Sequence, residues 1–96
     1  MEFGEQIREL RESKGLLQRQ LAANLEIDTP LFSKIERGER KARKEHVEKL
    51  STLLETDKDQ LLSLWLADQV IDLLKDEPQA KEALKIVQRE IKKYGH

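Results

Sequence analysis

An all-α fold is what this sequence predicts, and three observations predict it. Apolar residues recur at three- and four-residue spacings almost throughout the 96-residue chain. No segment of any length alternates as a strand does. Four glycines and two prolines are too few for the many turns of an all-β fold. The length suits one small domain with one core. At 38% hydrophobic and 39% charged residues, that core has to be built economically.

Each helix has its own signals. Phe3, Ile7 and Leu10 space an amphipathic first helix, which Lys14-Gly15 ends because glycine takes the left-handed backbone of a helix close. Leu17, Leu21, Ala22 and Leu25 form a second apolar stripe. Asp28 suits the N-cap of a third helix, with Thr29 and Pro30 in its first turn, where a missing N–H costs nothing. Gly38 closes that short helix. A fourth, from about Lys44 to Glu55, buries Val47, Leu50, Leu53 and Leu54. Asp57 caps a fifth, and Pro78 starts a sixth that reaches about Tyr94. Only Leu25-Glu26-Ile27 separates the second helix from the third, so the two meet steeply about a tight turn, as in helix-turn-helix geometry.

The formal charge of −1 argues for no particular partner, but its distribution does. Residues 34–44, "KIERGERKARK", carry six cations against two anions, whereas residues 45–77 carry three against nine. Within the third helix, at about 100° per residue, Phe32 and Ile35 face one way with Glu36 at the edge of that face. Thr29, Pro30, Ser33, Lys34 and Arg37 form the opposite band, which holds no acid. A solvated helix face usually mixes signs to gain pairs at i,i+4. Short polar residues let a helix approach closely, and lysine can donate to guanine O6 or N7. Arg37, Arg40, Lys41, Arg43 and Lys44 lie at the helix end and in the loop after it, where phosphates flank a groove-bound helix.

Over "IRELRESKGLLQRQLAANLEIDTPLFSKIERGER", Ile7 to Arg40, the chain resembles the lambda-repressor-like (XRE- or Cro-type) helix-turn-helix DNA-binding domains. Four marks hold their order and spacing: "LR" before a glycine, "Q" ahead of "LA", "I" before the cap, and "SKIERG". The similarity covers roughly residues 3–66. It implies a five-helix domain whose third helix enters the major groove of double-stranded DNA. By the same resemblance Thr29, Pro30, Ser33 and Lys34 face the bases. Gln18, with Arg19 beside it, braces against a phosphate, and Arg37 and Arg40 contact the backbone. Lys41, Arg43 and Lys44 extend that backbone contact. Arg11 and Glu36 match an ion pair that ties the first helix to the third. Three departures stand out. Glu26 occupies a turn position where glycine is usual. Pro30 and Leu31 cannot hydrogen-bond a base, although both can pack on a thymine methyl. The loop "RKARK" is richer in cations than the common form.

The sequence divides into a DNA-binding domain at 1–66 and a C-terminal extension at 67–96. From Leu61 to Leu74, ten of fourteen residues are apolar, more than one buried face requires. Ala80, Leu84, Val87, Ile91 and Tyr94 make a heptad-like seam in the sixth helix. Either the sixth helix folds back on the fifth, or both build a homodimer interface. The dimer is the expectation, since one recognition helix reads too few base pairs and twofold dimers read two half-sites about 34 Å apart. Its interface comprises Leu62, Trp65, Leu66, Val70, Ile71 and Leu74 of the fifth helix, with Leu84, Val87 and Ile91 of the sixth.

Other classes are excluded. The only histidines, His46 on the outer side of the fourth helix and terminal His96, form no zinc site. Glycines 4, 15, 38 and 95 make no phosphate loop. Asp76-Glu77 are helix-start acids rather than a catalytic pair. There is no cysteine, no run of ~20 apolar residues to span a membrane, and no apolar signal segment at the start. A cytoplasmic protein without enzymatic activity, metal, cofactor or small-molecule ligand is expected. Two functions remain: a sequence-specific transcription regulator of repressor or restriction–modification-controller type, or an interaction module or antitoxin gripping a protein with its C-terminal helices. RNA polymerase or a toxin is the protein partner these readings imply.

Overall fold

The computed structural model describes residues 2–95 and is all-helical among them. Six helices follow in order: α1 (Glu2–Ser13), α2 (Gln18–Leu25), α3 (Thr29–Glu36), α4 (Lys44–Leu53), α5 (Lys58–Leu74) and α6 (Ala80–Lys92). α1 ends at Gly15, φ +67°, with Leu16 N–H returning to the Arg11 carbonyl at 3.0 Å. Asp28 caps α3, its carboxylate accepting from Leu31 N–H at 2.7 Å, and Asp57 caps α5 by accepting from the N–H groups of Asp59 and Gln60. Gly38, φ +77°, turns the chain out of α3.

Two turns hold a left-handed residue that is not glycine. Glu26 closes α2 at φ 59°, ψ 39°, and Ile27 N–H reaches the Ala22 carbonyl at 3.0 Å. That conformation costs a residue with a Cβ about 1–2 kcal/mol, so the helix-turn-helix keeps the backbone shape a glycine would supply and carries the strain. Glu55, φ 53°, does the same after α4, which stops at Leu53 rather than reaching Glu55. α6 likewise starts at Ala80, two residues past Pro78.

The core is made by α1 to α5. Phe32, Ile7, Leu21, Leu50, Leu54, Leu61 and Val47 are fully buried, and Leu10, Leu16, Ile27, Leu31, Leu53, Leu62, Leu64 and Trp65 pack around them. α4 packs on α5, α2 on α3 and α4, and α1 on both α3 and α5. α1 meets α3 backbone to backbone at Gly4, where a Cβ would stand 2.3 Å from the Glu36 carbonyl oxygen. α6 joins none of these packings, and none of its residues is buried. α6 therefore makes no extensive fold-back onto α5.

The division expected at residue 66 falls inside α5, which runs unbroken to Leu74. Beyond that point Asp68 is buried and accepts hydrogen bonds from the N–H groups of Glu2 and Phe3, at 3.1 and 2.9 Å. A carboxylate from α5 thus caps α1, and α5 is tied to the helical core as far as Asp68.

Candidate nucleic-acid interface

Burial of Phe32 and Ile35 sets how α3 is rotated. Its opposite face shows Thr29, Pro30 and Lys34 exposed, with Ser33 half-buried between them. Leu31 packs against the core instead, which removes it from the readers considered above. The face itself holds no acid, though the exposed carboxylate of Glu39, in the turn after α3, feels the charges of both Lys34 and Arg37.

Behind this face lies a polar knot. Glu36 is buried, and Arg11 grips it with Nε donating to Oε2 at 2.7 Å and Nη2 to Oε1 at 3.2 Å. The guanidinium also donates through Nη1 to the Leu16 carbonyl at 2.9 Å. Its hydrogen bond to Glu36 raises the Arg11 pKa above the ordinary value, against the opposing effect of burial. Gln18, expected on a phosphate, donates through Nε2 to Glu36 Oε1 at 2.8 Å. The start of α2, the end of α3 and α1 therefore meet on one carboxylate. Arg19, beside Gln18, is exposed.

The C-terminal end of α3 is more constrained than its charge suggests. Arg37 donates through Nη1 to Ser33 Oγ at 2.6 Å and through Nε to the Glu39 carboxylate. That last bond raises the Arg37 pKa and holds the Glu39 carboxyl below its ordinary range. Two of the expected DNA-facing residues are thus tied to each other, with Glu39 as a local counter-charge.

In the loop after Gly38, Arg40, Lys41, Arg43 and Lys44 are exposed around a buried Ala42. The Ala42 carbonyl accepts from Trp65 Nε1 at 2.9 Å, and the Lys41 ammonium lies 5.8 Å from the centre of the Trp65 ring. Arg43 is 3.9 Å from Glu45, while Arg40 and Lys44 enter no ion pair among the described residues. Trp65, expected in the core or at a dimer interface, packs on the core and pins this loop to α5. Leu62 also packs on the domain's own core.

Sequence reasoning missed Asp68, Ala42 and Gly4. Signals existed for the first two: Asp68 interrupts an apolar run, and Ala42 is the single small apolar residue among four loop cations. Gly4 carried none. His46, expected outside, is half-buried. The remaining interface residues expected on α5 and α6 are exposed, apart from half-buried Leu74.

A family model described as a helix-turn-helix domain matches residues 2–64. No curated protein and no solved structure matches the chain. The match covers α1 to α4 and the first part of α5, including the Arg11–Glu36 knot, the left-handed turn at Glu26 and the exposed face of α3. The chain belongs to the helix-turn-helix domain family, in agreement with the lambda-repressor-like resemblance of residues 7–40.

Proposed function

We propose that the protein is a sequence-specific transcription regulator. It binds a palindromic operator as a homodimer, with the helix at 29–37 in the major groove, and acts as a repressor or restriction–modification controller. The observation that carries this reading is the acid-free outer face of α3, continuous with a cationic loop that Ala42 and Trp65 hold in place. Thr29, Pro30, Ser33 and Lys34 read base edges, Pro30 through apolar contact with a thymine methyl. Gln18, Arg19, Arg37, Arg40, Lys41, Arg43 and Lys44 contact phosphates, which position the helix without reading sequence.

Selection from a random duplex library at about 100 mM salt tests it. The expected outcome is a twofold-symmetric motif with half-site centres about one helical turn apart. Enrichment of no sequence, with binding that fades as salt rises, would overturn sequence-specific recognition.

A second reading has its own support in the bare apolar side of α6, where Leu84, Val87 and Ile91 are exposed. In that reading the C-terminal helices hold another protein, a toxin in the case of an antitoxin, while RNA polymerase would meet the acidic surface of residues 45–77. A closed homodimer of the purified protein, with that face covered, counts against it.

A further inference from the structure

The chain exposes too much surface for its size. A compact chain of 11.2 kDa exposes about 5,700 Å², whereas this one exposes 7024 Å². Its radius of gyration is 15.1 Å, against about 12.5 Å for a compact chain of this length. The surplus of roughly 1,300 Å² has an evident source in α6 and the end of α5. α6 carries Leu84, Val87 and Ile91 on one side, 40–49% exposed, and sets Lys81, Lys85, Arg89 and Lys92 away from them. α5 carries Leu66 and Val70 in its second half, with Leu73 75% exposed. A helix of 13 residues with no buried residue is marginal in water, yet α6 has no extensive packing on the α5 of its own chain.

We infer that α6 is an exchange arm that docks on α5 of a second copy, whose α6 docks on the first in return. This rests on the homodimer proposed above and says how that dimer is built. Twofold symmetry makes one contact occur twice, so α6 on the partner's α5 covers both bare faces at once. Pairing α6 with α6 leaves Leu66, Val70 and Leu73 in water. Pairing α5 with α5 leaves the face of α6 in water. The surplus area suits this occupant, because a stable pair buries about 800 Å² on each partner. The cations of α6 then stay on the outside, solvated. The arrangement also bears on DNA, because α5 is fastened to α1 through Asp68 and to the cationic loop through Trp65. Docked arms therefore hold the two α3 helices at one separation.

The chain has no cysteine, so the test can introduce its own. Full-length Val70→Cys and Val87→Cys are co-expressed, and each is also made alone, with a short bis-maleimide as the linker. The expected result is a covalent dimer from the co-expressed pair and none from either variant alone. The double variant V70C/V87C is expected to link into dimers. Sedimentation of the unmodified protein runs in parallel. A monomer there would overturn the homodimer and the arm together. A dimer whose co-expressed variants stay unlinked would overturn the arm alone. So would self-linking of Val87→Cys, or linkage within one chain in the double variant. Leu73→Cys with Ile91→Cys repeats the experiment at a second register, and thermal melts of all variants guard against loss of fold.

Discussion

Glu36 illustrates how much one buried carboxylate does at the scale of a residue. It lies in the core with its charge met by Arg11 and its remaining capacity by Gln18. Breaking such a pair from one side strands a buried charge, so Arg11→Ala should cost about 3–5 kcal/mol and lose DNA binding through instability. An unchanged melting temperature would contradict that. Gly4 is a different constraint, of space rather than charge. Gly4→Ala forces α1 off the backbone of α3 and should cost about 1–3 kcal/mol, read as a lower denaturation midpoint at unchanged slope. Arg37 offers a test in the opposite direction. Glu39→Gln releases the guanidinium for phosphate, and DNA binding should tighten a few-fold with a steeper salt dependence. Because the Glu39 carboxyl is held below its ordinary range, the folded state binds its proton more weakly than the unfolded one. The pair's support for the fold is present above the ordinary carboxylate pKa and is lost as pH falls through the lowered value. Both side chains are exposed to water, so that support is slight.

In the proposed complex, affinity depends on the loop from Gly38 to Arg43. It contains no regular structure, and its position comes from a buried alanine and one indole N–H. Cations held this way contribute through counterion release. If each copy neutralises roughly four phosphates, a dimer should show a log–log salt slope near −7. A slope shallower than about −3 would take the loop out of the interface. Trp65→Phe keeps most of the packing and removes the donor to the Ala42 carbonyl. Base preference, which the proposed complex assigns to α3, should then persist while overall affinity falls. Helix boundaries were legible because caps and glycines act locally, as Asp28, Gly38 and Asp57 show. At Glu26 the resemblance, which places a glycine there, raised a left-handed turn without deciding it, whereas at Glu55 nothing in the glutamate announced a positive φ. That conformation is imposed by the helices packed on either side.

At the scale of the molecule, five helices form the core and a sixth adds surface without burying itself. Charge placed on the seam, as in Leu84→Asp with Val87→Asp, should give monomers that bind DNA weakly, measured by sedimentation and by titration with the selected operator. A dimer that survives both substitutions would remove the seam from the interface. In the proposed complex one copy alone reaches one half-site, so loss of the dimer and loss of tight binding should appear together.

By itself the sequence determined the helical class, the caps, the orientation of α3 and the concentration of cations beyond it. All of these follow from spacings of three or four residues, or from single residues acting on their neighbours. The Arg11–Glu36 pair was legible only through resemblance, since 25 residues separate its members. Tertiary structure alone decided that Asp68 caps α1 from 66 residues away, that Trp65 pins the cationic loop, that Gly4 admits the backbone of α3, and that α6 leaves α5. These contacts depend on the angles at which helices cross, and the crossing angles come from packing the whole core at once.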